Sequence, residues 1–510
     1  MEEQQGAEVG TRSTGLEPAV RRVALVVVLG TIMSILDTTI VSIAVNTLRG
    51  DFHTSLATIQ WVTTAYLLAL AMVIPLSGWT VERFGARRVW LTSIVLFIAG
   101  SVLCGLSWSA ASLIGFRVLQ GIGGGMLLPA GQTMLARAAG PTQMGRVMSV
   151  IGVPMLLGPI VGPTLGGLIL DNLSWRWLFF VNVPIGLIAF ARGFKVLPKG
   201  EHGRAGRLDV VGVCLLSPGL AILLYGLSSA GSGSVGSRAI GSVVVGALLV
   251  ALFVRHALRC EQPLVDLRLF SNRTLRAAST TTFVVGGTIF GVLFVLPLYY
   301  QIVRGQSPLI AGLLLGPQEL GAMVSMRYAG RITDRFGAGR VVPVGVVLSV
   351  LGSIAYTQVT PHSNELVLAL SLVVRGLGLG ATAMPAMAAG YATLRHDDIP
   401  RATTLLSIIQ RTGSTLGTAV LAVVLQREIE SRVGNVSLGT SVVPGHAQAL
   451  VAQAFGSTFW FGLGLSALAI IPALMLPRRG AAAMAVGGGA EEPGGPGEGL
   501  RLEDGAGTIG

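Results

Sequence analysis

The sequence predicts an all-α membrane protein of fourteen transmembrane helices arranged as 6 + 2 + 6. Three observations carry that prediction. Of 510 residues, 52% are hydrophobic and only 12% are charged, about half the charge of an ordinary soluble domain and too little to cover a globular surface. Mean hydropathy is +0.71. The 70 glycines and 23 prolines follow no G-X-Y period and sit largely within apolar runs, as in helices packed closely in a bilayer. Finally, Gly78-Trp-Thr-Val-Glu-Arg-Phe-Gly-Ala-Arg-Arg88 returns as Gly330-Arg-Ile-Thr-Asp-Arg-Phe-Gly-Ala-Gly-Arg340, an offset of 252. A weaker echo of Gln120-Gly-Ile-Gly-Gly-Gly125 in Arg375-Gly-Leu-Gly-Leu-Gly380 has an offset of 255. Nearly equal offsets mark a duplicated half, a common plan in transporters.

The elements follow in order. Residues 1–21 form a polar tail, and the apolar run after Arg21-Arg22 is too long for a signal-peptide core, so it is a retained first span. Spans of about 20 apolar residues lie near 23–45, 57–78, 89–107, 109–130, 144–170 and 175–196, then 209–229 and 238–257. The remaining six lie near 277–300, 308–328, 341–358, 365–388, 402–425 and 455–476. Strand-length alternation is absent, which argues against a barrel. The domain boundaries are therefore 22–200 for the first six-helix bundle, 201–260 for two inserted helices and 261–478 for the second bundle. Residues 479–510, rich in Gly and Pro, are expected to be a disordered cytoplasmic tail.

Charge placement tests the count. With the N-terminus inside, 27 of 36 Lys and Arg fall to inside segments, six to outside loops and three, Arg117, Arg375 and Arg411, within spans. Both termini are therefore expected to be cytoplasmic. The net charge of +12 becomes a topology signal, and a nucleic-acid partner loses its argument. Cys104, Cys214 and Cys260 show no CxxC or Cys/His spacing, so neither a disulfide framework nor a metal site is expected. The Gly121–Gly125 run lacks nucleotide-loop spacing, so no ATP and no other cofactor is called for. Thirty-four of the 36 basic residues are Arg, a bias suited to a GC-rich bacterial genome, which discounts the glycosylation triplets at Asn172, Asn272 and Asn435.

Five intramembrane charges stand out. Asp37 in span 1 and Arg117 in span 4 both lie about 12 Å from the outer end of their helices. An unpaired charge there costs at least about 2.5 to 3.5 kcal/mol, so both should face the bundle interior. A carboxyl in that setting can take a proton, which Arg cannot release. Asp37 is accordingly the candidate proton acceptor and Arg117 its regulator, the alternative being a purely structural ion pair. Glu319 in span 10, Arg411 in span 13 and Arg375 in span 12 lie near the midplane. Glu319 could bind a cationic substrate, serve as a second proton site or neutralise one of these arginines. Glu319, Arg375, Arg411 and Gln120, together with Met126, Met155 and Met323 and with Met326 and Met384, are candidates for the substrate cavity, the methionines because thioethers fit varied shapes; for the methionines ordinary packing is the alternative.

The repeated segment offers an inner gate: Gly78, Glu82, Arg83, Gly85, Arg87 and Arg88 in one copy, Asp334, Arg335 and Arg340 in the other. Ion pairs across the inner mouth can hold one conformation and break in another. The simpler alternative is a basic inside loop that sets topology. In span 5, Gly158, Pro159, Gly162, Pro163, Gly166 and Gly167 allow close helix approach and a bent axis, through leak-blocking or plain packing.

These motifs resemble the major facilitator superfamily. Gly78-x-x-x-Glu82-Arg83-x-Gly85-x-Arg87-Arg88 is similar to its loop 2-3 signature, with Glu where Asp is usual and Ala86 where a basic residue is common. Leu36-Asp37-Thr38-Thr39-Ile40-Val41 resembles a signature of the fourteen-helix drug/proton antiporters, the EmrB/QacA subfamily. Arg117-Val-Leu-Gln120-Gly121-Ile-Gly123-Gly124 resembles the branch's intramembrane Arg motif, and Gly158 to Gly167 its antiporter motif. Trp175-Arg176-Trp177 and Asn182-Val-Pro184-Ile-Gly186 are similar to further marks of the branch. The resemblance covers roughly residues 20–477. It implies the major facilitator fold and a bacterial inner-membrane exporter of amphipathic or cationic drugs, toxins or antibiotics, driven by protons. Alternatives are a dedicated exporter of one endogenous metabolite and an importer or uniporter. No convergent nucleophile or metal-ligand cluster supports a membrane enzyme.

Overall fold

The computed structural model describes residues 16–198, 206–231, 236–433 and 445–478. The expected 479–510 tail and residues 1–15 of the N-terminal tail lie outside the described residues. Every regular element among the described residues is helical. The first bundle comprises α1 (Pro18–Ile40), α2 (Ala57–Phe84), α3 (Ala86–Gly105), α4 (Ala110–Ala139), α5 (Met144–Asn172) and α6 (Trp177–Val196). The inserted pair is α7 (Val210–Gly231) and α8 (Ser237–Arg259). The second bundle comprises α9 (Arg273–Val303), α10 (Leu309–Phe336), α11 (Ala338–Gln358), α12 (Glu365–Ala392), α13 (His396–Val433) and α14 (Ala447–Leu474). Most of these exceed the roughly 20 residues that cross a bilayer, and α13 reaches 38.

The repeated segment differs from the loop its sequence suggests. Helix α2 tightens into a 3-10 turn at Ile74–Leu76, where Pro75 stands, and continues as α-helix through Ser77–Phe84; α3 starts at Ala86, so the turn is the single residue Gly85 at φ 83°. Its copy is Gly337 at φ 85° between α10 and α11. A side chain there would be strained, which explains why glycine ends the helix in both copies.

Helix pairing repeats with the sequence. In the first bundle α2 and α3 pack on α4, α1 packs on α5 and α6, and α3 packs on α6; the second bundle repeats this with α10 and α11 on α12, α9 on α13 and α14, and α11 on α14. The halves meet where α5 crosses α10 and α12 and where α2 meets α13. Helix α7 lies along α2 and α13, with Trp61 stacked on Tyr225 at 5.8 Å, and α8 packs on α7. Only 17% of the apolar window of α8 is buried, which leaves it facing lipid.

The apolar core reveals the conformation. On the basic face, where Gly85 and Gly337 turn, one continuous cluster joins Val147, Met148 and Ile151 of the first half to Met326, Met387 and Leu405 of the second. Toward the opposite face the core divides: one cluster around Ile40, Val62 and Phe179 lies in the first half, and another around Tyr299, Leu372 and Phe455 lies in the second. The protein is therefore closed on its basic face.

Candidate functional site

Asp37 and Arg117 meet as their matching depth requires. Arg117 Nη1 lies 2.6 Å from Asp37 Oδ2, and both side chains are fully buried. Oδ1 of Asp37 accepts from Gln120 Nε2 at 2.8 Å and from Asn182 Nδ2 at 3.0 Å. All of these partners are donors, which suits a carboxylate. Gln120 Oε1 in turn accepts from Arg117 Nη1 at 2.7 Å, and Ser101 Oγ accepts from both Gln120 and Asn182. Arg117 Nε donates to the Val62 carbonyl at 3.2 Å, and its guanidinium lies 4.1 Å from the centre of the Tyr66 ring. Five helices, α1, α2, α3, α4 and α6, thus converge on one ion pair inside the first half. Gln120, expected in the substrate cavity, is instead fully buried in this network. Ser101 and Tyr66 gave no sequence signal; Asn182 stood in a recognised motif, with its role hidden.

The second half has the same scaffold with different chemistry. Gly100 packs against the backbone of Gln120, and its copy Gly352 against the backbone of Arg375. Gly121 packs against the Tyr66 carbonyl, and Gly376 against that of Gln318. Arg375 therefore stands where Gln120 stands, Gln318 where Tyr66 stands and Glu319 where Leu67 stands. On the facing helix, Gly162 meets Thr39 and Gly417 meets Gly287, so the place of Asp37 is taken by buried Val285. Arg375 Nη1 donates to Gln318 Oε1, and Gln318 Nε2 donates to Glu319 Oε1 at 2.9 Å. Gln318 thus bridges the two charges. Glu319 Oε2 and Arg375 Nη2 have no hydrogen-bond partner among the described residues. Arg411 stands apart from this relay, half-buried on α13 with no ion-pair partner among the described residues.

Two clasps close the basic face. Arg401 at the start of α13 grips Glu82 of α2 with Nε–Oε1 at 2.8 Å and Nη2–Oε2 at 3.2 Å, a bidentate fork. Asp334 of α10 accepts from Arg146 Nε at 3.0 Å and from the Gly145 backbone N–H at 2.8 Å, where the N-terminus of α5 favours negative charge. Beside the first clasp, Ser77 and Thr404 hydroxyls meet at 2.8 Å and Gly78 lies against Thr404; beside the second, Gly330 lies against Ser149. Arg83, Arg88, Arg335 and Arg340 are exposed. Arg87 donates to the Phe194 carbonyl and lies over that ring, so it ties α3 to α6 within the first half.

A family model described as Major Facilitator Superfamily matches residues 27–419. The chain belongs to the major facilitator superfamily. It is 39% identical over 492 residues to the "Multidrug resistance protein B homolog" of Mycobacterium tuberculosis H37Rv, covering 91% of each chain. It is 30% identical over 416 residues to the "Putative multidrug resistance protein MdtD" of Salmonella typhi, covering 80% of this chain and 87% of that one. Among solved structures, the human organic anion transporter MFSD10 aligns with a TM-score of 0.58 at 18% identity, covering 88% of this chain and all of that one. The proton:xylose symporter XylE aligns at 0.57 and 15%, covering 89% and 94%; both share the fold.

In this superfamily member the span 5 glycines serve contact with α1. Gly158, Gly162 and Gly166 face Ile35, Thr39 and Ile40 in turn, and Thr39 Oγ1 donates to the Gly158 carbonyl at 3.2 Å. Gly167 faces open space. The side chains of Pro159, Pro163 and Met155 lie outside the described residues. Met326 and Met384 cover Gly152 at the seam between halves. Met323 is half-buried nearby on α10, and Met126 receives the Thr80 hydroxyl at 3.9 Å.

Proposed function

We propose that this superfamily member is a proton-coupled exporter of amphipathic or cationic drugs, toxins or antibiotics. It would work in the bacterial inner membrane with both termini cytoplasmic. The observation that carries the reading is the sealed Asp37 network in the first half, set against Val285 at the equivalent place in the second. One half carries the protonatable ion pair, and the other carries the Gln318–Glu319–Arg375 relay. The multidrug-resistance names of its relatives support the substrate class.

With the basic face cytoplasmic, the described state is closed to the cytoplasm, and Glu82–Arg401 and Asp334–Arg146 are the gate. A proton on Asp37 cancels the charge that holds Arg117 and turns one acceptor oxygen into a donor. The contacts joining α1 to α4 and α6 then weaken, and rocking toward the inward-open state becomes favourable. Substrate would bind near the midplane between the halves, with Glu319 attracting cationic groups and methionines such as Met323 adapting to shape. Exchange of a neutral substrate for one proton draws on about 2.3 kcal/mol per 100 mV plus the pH gradient. No ATP or other cofactor enters the cycle.

Everted vesicles with an imposed proton gradient test this. Gradient-dependent drug accumulation should occur with the native chain and disappear with Asp37→Asn. Undiminished accumulation in that variant would remove Asp37 from the coupling step.

A further inference from the structure

At the base of the inserted pair, on the basic face, three side chains of different chemistry converge. Asp209 immediately precedes α7, His256 lies in the last turn of α8, and Cys260 follows that helix. Their ligand atoms all lie within 4.8 Å of one another. His256 Nε2 is 2.8 Å from Asp209 Oδ1. The Cys260 backbone N–H still bonds to the His256 carbonyl at 2.9 Å, so the thiol and imidazole share one helical face.

The surroundings hold these groups in place. Asp209 accepts from the Gly212 N–H at 2.8 Å and the Leu264 N–H at 3.1 Å, which fixes the carboxylate. Arg268 Nη2 donates to the Cys260 carbonyl at 3.2 Å, which fixes the loop carrying the thiol. Such contacts orient metal ligands in known sites. No sequence spacing reveals the set, because Asp209 and His256 are 47 positions apart.

We propose that Asp209, His256 and Cys260 form a binding site for a borderline-soft divalent metal ion of the zinc type. An oxygen, an imidazole nitrogen and a thiolate sulfur are the donors such an ion takes, with water completing a tetrahedron. Bonds of about 2.0 to 2.3 Å put tetrahedral ligand atoms roughly 3.4 Å apart. His256 and Asp209, 2.8 Å apart, need to separate slightly, and Cys260, whose sulfur lies within 4.8 Å of both, must close on the ion. Calcium and magnesium are disfavoured, since both prefer oxygen donors.

The place gives the ion a purpose. Gly206 accepts from Trp79 Nε1 at 3.0 Å, and Arg401 lies 3.9 Å from Asp266, so the segments flanking the site touch the Glu82–Arg401 clasp. Asp209, Leu264, Glu82 and Arg401 line one small cleft. An ion here pins the base of the inserted pair beside that clasp.

The test uses the full chain in detergent, purified without a polyhistidine tag, stripped with chelator and titrated with Co2+. The expected result is a near-ultraviolet thiolate-to-cobalt band that saturates at one ion per chain and vanishes on adding Zn2+. Cys260→Ser should abolish the band, His256→Asn should weaken binding at least tenfold, and Cys214→Ser should leave both unchanged. Thermal melting shows whether each variant is folded. A native chain without the band, or a folded Cys260→Ser chain that keeps it, overturns the site. None of these readings depends on transport.

Discussion

Arg375 of the second half occupies the position that Gln120 occupies in the first, against the same backbone contact from a glycine one helix away. Gln120 bonds to Asp37 and completes a neutral ion pair. Arg375 finds Val285 at the place of Asp37 and reaches Gln318 instead, which passes the contact to Glu319. One duplicated scaffold thus carries a direct carboxylate–guanidinium pair in one half and a pair bridged by Gln318 in the other, with Arg117 Nη2 and Asn182 Oδ1 in the first and Arg375 Nη2 and Glu319 Oε2 in the second lacking hydrogen-bond partners among the described residues. Glu319 Oε2 has no hydrogen-bond partner among the described residues, and an unsatisfied buried polar atom costs about 1 to 3 kcal/mol.

Glu319→Gln keeps the shape and removes the charge. Efflux of permanently cationic dyes should fall at least tenfold while neutral substrates change less than threefold. Parallel dye and drug transport in vesicles reads the difference, and equal loss of both classes would refute cation selectivity at this residue. Gln318→Leu cuts the bridge to Arg375 and is expected to alter the same selectivity.

Asp37→Asn leaves Arg117 buried without its counter-charge, and breaking a buried pair costs about 3 to 5 kcal/mol. The single variant should melt well below the native protein in detergent. Combining it with Arg117→Gln should recover much of that loss without restoring proton-driven transport. Recovery of stability together with transport would mean that the pair is structural alone.

The fold was legible because hydropathy, loop charge and the repeat are all one-dimensional signals. The Asp37–Arg117 contact was legible from depth, since helix rise fixes height in the membrane. Facing is harder to read on helices that are apolar all round. Gln120 therefore looked like a cavity residue, although it points into its own bundle. Glu82 and Asp334 stand in the repeated motif, but their partners Arg401 and Arg146 lie at the starts of α13 and α5. Those two arginines are themselves related by the second repeat offset, 255, a signal that becomes visible once one of them is known to matter. Gln318 as the bridge between Glu319 and Arg375 follows only from rotamers, which a sequence does not encode directly.

The two clasps should act together. Glu82→Gln with Asp334→Asn removes the carboxylate charge from both, and each half-buried pair is worth on the order of 1 kcal/mol. Ser77→Cys, buried beside Thr404, then becomes a reporter for opening of the basic face. Its labelling by a membrane-impermeant maleimide applied to that face should accelerate at least fivefold in the double variant. An unchanged rate would show that the apolar seam around Met326 and Val147 holds the face closed without them.

Equivalent glycines in the two halves should differ in tolerance. A methyl at Gly162 would meet the Thr39 side chain, whereas a methyl at Gly417 would meet the backbone of Gly287. Rotation clears Thr39 Oγ1 and leaves only its Cβ, 2.6 Å away, to be relieved by a small shift of α1, while the three backbone atoms that face Gly417 move only if α9 and α13 separate along their length. Overpacking of this kind costs about 1 to 3 kcal/mol, and the upper end belongs where nothing small can yield. Gly417→Ala should therefore lower the melting temperature more than Gly162→Ala in otherwise identical preparations. The reverse order would mean that the α5–α1 contact, with its Thr39 to Gly158 hydrogen bond, is the more rigid of the two. Such rigidity would favour the leak-blocking reading of the span 5 glycines over plain packing.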